Sequence, residues 1–202
     1  DRGRVEEVLS LVEQAQSLSD RHSLGFNEYE ADFIRRTASQ NVLGASLSSA
    51  RYWATDIQIG DVDTAMKYLQ RARKYLPQAP INRDEKITKA KEIDAIEVEI
   101  YKNGVERHLY RATRDLQGEH LIPFDALRNI KKARLYAHRA GLDISERAKQ
   151  LRKEAAVKGV EVYLRLARED AEKGYLIGFK QSSRRARRFA QLSGADASQQ
   201  LH

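Results

Sequence analysis

Four arginines within five positions near the end of the chain are the residues whose chemistry is easiest to state. They are Arg184, Arg185, Arg187 and Arg188. A guanidinium group is planar and permanently charged, and its paired N–H groups suit a carboxylate or a phosphate. Helical spacing places Arg184, Arg187 and Arg188 on one exposed face. This pattern indicates either an anion-binding surface or a solvated convex surface of the kind that helical proteins often present.

The same positions in earlier parts of the chain are less basic. Glu13-Gln14-Ala15-Gln16 aligns with Gln70-Arg71-Ala72-Arg73, then with Lys131-Lys132-Ala133-Arg134, and then with the arginine-rich segment. Residues 1–101 carry 14 Lys+Arg against 17 Asp+Glu, whereas residues 102–202 carry 22 against 12. We therefore predict that Lys131, Lys132 and Arg134 extend any polyanion-binding surface. Tyr175 and Phe179 could stack on nucleic-acid bases, while Phe189 is better explained as a core residue.

No spacing in the sequence is typical of an active site. The five histidines form neither an HExxH motif nor an i,i+4 pair, and the chain has no cysteine. Asp61 and Asp63 could be metal ligands, but carboxylates at the start of a helix are far more often N-caps. Neither of the familiar glycine-rich phosphate loops is present. We therefore predict no catalytic residues, no metal site and no cofactor.

The elements that must position the arginines are predicted to be helices throughout. Apolar residues recur at helical spacing almost everywhere, and no segment alternates as a half-buried strand does. The sequence predicts an all-α fold of seven helices, alternately short and long, over residues 3–19, 28–57, 61–76, 83–116, 123–140, 145–173 and 179–192. Asn27 and either Asp61 or Asp63 are the expected N-caps, and Gly141 is expected to follow a helix end.

An internal repeat underlies this alternation. Residues 104–124 match residues 159–179 at a constant offset of 55, and residues 133–143 match residues 186–196 after a two-residue deletion. The paired Gly104 and Gly159 indicate close helix contact or a shared bend. We predict a single domain of stacked antiparallel helical hairpins, with a half unit at residues 1–26, units at 27–80, 81–143 and 144–196, and a frayed tail at 197–202.

One hairpin resembles the tetratricopeptide repeat family. The resemblance rests on Gly60, Ala65, Leu69, Ala72 and Pro77, which stand at the spacing of the second half of such a repeat. It implies a curved stack of helix pairs, an α-solenoid, that binds proteins or peptides in a groove lined by the first helices. The units here are longer than in that family, at about 53 to 62 residues.

These features predict a non-catalytic protein-binding or scaffolding module, with RNA or DNA binding through the basic C-terminal pole as the alternative. The uncharged residues 37–50 form a docking groove, a homodimer face or a helix segment buried between neighbours, with Gly44, Ala45, Ser46 and Ser49 allowing close approach in the last case. No apolar run is long enough to cross a bilayer. We expect a soluble protein, by default cytoplasmic; because the chain starts at Asp1, secretion stays an alternative. Its oligomeric state is left open.

Overall fold

The computed structural model describes residues 2–22, 25–55, 61–117 and 121–193, and within these ranges the only regular elements are helices. The predicted all-α fold is therefore confirmed. Seven α-helices occur in the described chain: α1 (Arg2–His22), α2 (Glu28–Thr55), α3 (Val62–Tyr75), α4 (Arg83–Asp115), α5 (Pro123–Ala140), α6 (Ser145–Glu172) and α7 (Leu176–Ser193). A short 3-10 helix, Leu76–Gln78, follows α3.

Several helix boundaries have the predicted local causes. Asn27 Oδ1 accepts a hydrogen bond from the backbone N–H of Glu30 at 3.2 Å. Asp61 is the N-cap of α3, since its carboxylate accepts from the backbone N–H of Thr64 at 3.0 Å. Gly141 ends α5 in the left-handed conformation, with φ of 66°. The interpretation of Asp61 as a cap is thus supported by direct hydrogen bonding.

The chain divides into two compact units, Asp1–Asn103 and Gly104–His202, with the boundary inside α4. In the first unit, α2 packs against both α1 and α3. Of the small residues predicted to allow close approach in α2, Ser46 and Ser49 are buried. Gly44 and Ala45 are exposed, and a Cβ on Gly44 would meet nothing within 4 Å. The prediction was wrong for these two residues because they lie on the outer side of the helix.

The positions that resemble a tetratricopeptide repeat lie in α3 and just after it. Ala65, Leu69 and Ala72 are fully buried, and Pro77 follows the end of the helix. Gly60 lies outside the described residues. Apart from Tyr75 at the end of the helix, the buried side of α3 therefore consists of small and aliphatic side chains, which allow close packing of a helix pair.

In the second unit, α6 contacts both short helices, α5 and α7. Its first half packs on α5 in a core that contains Leu109, Ile130, Ala133, Leu151 and Ala155. Its second half packs on α7, where the ring of Phe189 lies so close to Gly159 that an added Cβ would overlap it. The predicted close contact at Gly159 is confirmed.

Aromatic rings fill the place where α5, α6 and α7 meet. Phe124 of α5 lies 4.6 Å from Phe189 of α7, measured between ring centroids, and 5.7 Å from Tyr163 of α6. Phe189 is fully buried, as the sequence predicts. This cluster fixes α7 on α6 and thereby determines which side of α7 faces outward.

Candidate functional site

The most basic helix of the chain is α7. It carries five basic residues and no acidic residue. Ala186, Phe189 and Ala190 are buried against the rest of the unit, whereas all four predicted arginines are exposed. The predicted inward and outward sides of the helix are therefore observed.

An open depression of about 700 Å³ runs along the outer side of α7. It is lined by Phe179, Lys180, Gln181, Ser183, Arg184, Arg187, Arg188 and Gln191. Three of the four predicted arginines therefore share one surface. The fourth, Arg185, lies elsewhere: its guanidinium carbon is 5.5 Å from the centroid of the Tyr163 ring. Arg188 also packs over a ring, at 5.8 Å from the centroid of Phe124.

The arginines of α7 differ from those of α3 in their electrostatic partners. Arg73 of α3 is within 2.9 Å of Asp94 and 2.5 Å of Glu97, both on α4. These hydrogen-bonded carboxylates, Glu97 first, raise the pKa of Arg73 against the opposing effect of burial. In the described part of the chain, no carboxylate lies within ion-pair distance of the α7 arginines. Their charge is thus available to an external anion.

Exposed apolar side chains lie at the start of α7, about two helical turns before Arg184. Leu176 is 70% exposed and Ile177 is 63% exposed, and Tyr175 and Phe179 are also exposed. The sequence prediction began this helix at Phe179, three residues too late. The signal that was missed is Gly174, which adopts φ of 70° directly after α6 and allows an immediate turn into α7.

The three residues that are predicted to extend the polyanion-binding surface lie on α5. Lys131, Lys132 and Arg134 are all exposed. Lys132 lies at i,i+3 from Asn129, which contacts His108 of α4, and therefore on the side of α5 near that histidine. These three residues therefore do not form one stripe, and Lys131 and Arg134 lie at i,i+3 on the side away from His108.

A buried polar chain links α4 to α5. Asp115 Oδ2 accepts from Asn129 Nδ2 at 2.8 Å, and Asn129 Oδ1 lies 2.8 Å from His108 Nδ1. Since the amide oxygen can only accept, His108 must carry its proton on Nδ1. Burial lowers the pKa of His108, the bond to Asn129 opposes this, and Lys132, Arg111 and Arg107 lower it further. His108 is thus a buried, hydrogen-bonded residue of the contact between α4 and α5.

The second unit contains two corresponding sets of contacts. Asp170 of α6 accepts a hydrogen bond from Ser182 of α7 at 3.2 Å, at the positions that match Asp115 and Asn129. The rings of His108 and Tyr136 lie 5.5 Å apart, and those of Tyr163 and Phe189, at the matching positions, lie 5.7 Å apart. The matching positions thus make matching contacts.

Among the residues that the structure describes, no three His, Asp or Glu side chains are grouped so that they could hold a metal ion. His120 and His202 lie outside those residues. None of the described helices is long and apolar enough to span a membrane. Comparison with known proteins found no matching family model, no similar curated protein and no similar solved structure.

Proposed function

We propose that this chain is a non-catalytic helical-repeat module, tetratricopeptide-like in arrangement, that binds a protein partner through the outer side of α7. The observation that carries the proposal is a combination on one helix: Arg184 and Arg187, which have no carboxylate of the described residues within ion-pair distance, and the exposed Leu176 and Ile177. An acidic amphipathic helix offers carboxylates to the arginines and apolar side chains to the leucine and isoleucine.

The first unit contains a contact that serves as a template for this binding. Asp94 and Glu97, three residues apart on α4, both contact Arg73 of α3. Arg187 occupies the position in α7 that Arg73 occupies in α3. A partner helix with carboxylates three residues apart would engage α7 in the same way. The matching contacts within the second unit support the repeat organisation on which this correspondence rests.

Nucleic-acid binding through the same arginines is the second candidate, and the absence of any acidic residue from α7 favours it. Tyr175 and Phe179 could then stack on bases. Aliphatic side chains such as Leu176 and Ile177 do not stack, so their exposure on the same helix as the arginines supports a protein partner instead.

Titration with fluorescent probes tests the proposal. The probes are an amphipathic peptide of about 20 residues with glutamates three residues apart and leucines alongside, the same peptide with glutamine in place of glutamate, and a single-stranded RNA. We expect the glutamate peptide to bind most tightly. Arg184→Gln/Arg187→Gln and Leu176→Ser/Ile177→Ser should each weaken it about tenfold or more.

Matched controls are available on other helices. Leu11→Ser/Leu18→Ser removes two comparably exposed apolar side chains from α1, and Arg165→Gln/Arg168→Gln removes two exposed arginines from α6. Both should leave peptide binding nearly unchanged. Loss of RNA binding in the α7 arginine variant, with no peptide binding in the unmodified protein, would replace the protein-binding proposal with the nucleic-acid candidate.

A further inference from the structure

A second basic surface lies where α5 packs against α6. We name it the α5–α6 basic face, and it consists of Lys131 and Arg134 of α5 and Lys149 and Arg152 of α6. All four side chains are exposed. The two helices pack together in the core of the second unit. The residues of this face belong to neither the outer side of α7 nor the depression along it.

The buried residues of the long helices establish which positions correspond. Ile93, Ile96 and Ile100 of α4 are buried, and so are Ala148, Leu151 and Ala155 of α6, at the constant offset of 55. Lys149 and Arg152 therefore stand where α4 has Asp94 and Glu97. On the short helices, Lys131 and Arg134 stand where α3 has Gln70 and Arg73.

The two corresponding faces have opposite charge. In the first unit, the one arginine is paired with two carboxylates. In the second unit, four cations replace that set, and Lys149 has only an exposed contact of 3.9 Å with Glu146. No other carboxylate of the described residues is within ion-pair distance of the four. Like charges that collect in this way repel one another until an external anion neutralises them.

We propose that the α5–α6 basic face binds the phosphate backbone of a single-stranded nucleic acid. Charge is the chemistry that its four residues share, and a phosphodiester chain supplies one negative charge per nucleotide and needs no apolar partner. An acidic amphipathic helix would leave most of its apolar side chains without contacts here, because Leu135, which is 51% exposed, is the one large apolar side chain of α5 that is exposed. This proposal is independent of the protein-binding role of α7.

The first unit provides the substitutions for the test. Lys149→Asp/Arg152→Glu places the acidic residues of α4 opposite Arg134. Binding of a fluorescent single-stranded RNA should weaken about tenfold or more, and the slope of log K against log salt should become about 2 smaller. The melting temperature at low salt should rise by about 1–4 °C, because attraction replaces repulsion. A role in folding alone would not produce weaker binding together with higher stability.

Three comparisons make the test decisive. Arg168→Glu/Lys173→Asp, at the other end of α6, changes the net charge equally and should retain most RNA binding. Lys149→Gln/Arg152→Gln removes the same two charges without adding carboxylates and should also weaken RNA binding. It replaces the acidic variant if that variant does not fold. The glutamate peptide should bind the Lys149→Asp/Arg152→Glu variant as tightly as it binds the unmodified protein. Failure of the proposed protein binding at α7 is thereby distinguished from failure of the proposed RNA binding at the α5–α6 basic face.

Three outcomes would overturn the proposal. One is equal RNA affinity and salt slope in the unmodified protein and the Lys149→Asp/Arg152→Glu variant. Another is loss of RNA binding in Arg184→Gln/Arg187→Gln alone, which would assign the nucleic acid to α7. Binding of heparin without binding of RNA would likewise refute a nucleic-acid ligand.

Discussion

The ring of Phe189 on α7 lies directly against the backbone of α6 at Gly159. A Cβ at position 159 would overlap three atoms of that ring. The glycine therefore serves close packing, since its φ is not in the left-handed region and any residue could adopt its backbone conformation. Without this contact, the aromatic cluster that holds α7 in place could not form as it does.

Replacing Gly159 by alanine should destabilise the protein. Overpacking against the buried ring costs about 1–3 kcal/mol, while the better helix propensity of alanine returns up to about 1 kcal/mol. We expect a net loss of about 1–2 kcal/mol in the free energy of unfolding, measured by urea denaturation.

Gly44→Ala is the matched control, because Gly44 is also in the middle of a helix but a Cβ there meets nothing within 4 Å. It should stabilise the protein by about 0.5–1 kcal/mol. Equal effects of the two substitutions would contradict the role assigned to the Phe189 contact.

Asn129→Ala should be costly because Asn129 bridges two buried groups. Its removal takes the hydrogen-bond donor from Asp115 Oδ2 and the acceptor from His108 Nδ1. We expect a loss of about 1–3 kcal/mol in the free energy of unfolding. Asn41→Ala, at an exposed position of α2, should change it by less than about 0.5 kcal/mol. A similar small effect at position 129 would show that the buried chain contributes little.

Stability should fall on mild acidification because of His108. Burial lowers its pKa in the folded state below the ordinary value of 6.5. As the pH falls below 6.5, the unfolded chain therefore binds a proton before the folded protein does. The free energy of unfolding is unaffected by the titration of His108 above pH 6.5 and decreases as the pH falls toward the folded-state pKa. The free energy of unfolding should decrease by at most about 1.4 kcal/mol per pH unit.

The check is urea denaturation between pH 7.5 and 5.5, a window above the range in which carboxylates titrate. His108→Gln should be less stable at pH 7.5 but should show a smaller pH dependence. An identical pH dependence in both proteins would mean that His108 is not responsible for it.

Exchanging the two faces should move RNA binding from one unit to the other. Adding Asp94→Lys/Glu97→Arg to the Lys149→Asp/Arg152→Glu variant creates in the first unit the charges that the second unit has lost. RNA affinity should return to within a few-fold of the original value. The cost in the free energy of unfolding should stay below about 1 kcal/mol, because Arg73 is partly exposed. No recovery of binding would show that charge at these positions is insufficient.

Helix type and most helix boundaries could be predicted from the sequence. Asn27, Asp61 and Gly141 act on backbone groups a few residues away, so their effects are encoded locally. The burial of Phe189 and the close contact at Gly159 were also predictable, since apolar spacing and a repeated glycine are visible in the sequence. The start of α7 was placed too late because aliphatic residues at positions 176 and 177 gave no polar cap signal.

The tertiary structure decided which charges remain available. The sequence counts Arg73, Arg134, Arg185 and Arg187 alike, but an ion pair depends on what another helix places opposite the guanidinium. Arg73 meets two carboxylates of α4, Arg185 lies over Tyr163, and Arg187 lines an open depression. Composition fixes the net charge of a chain, whereas Coulomb energy depends on distance, and distances between helices exist only after packing.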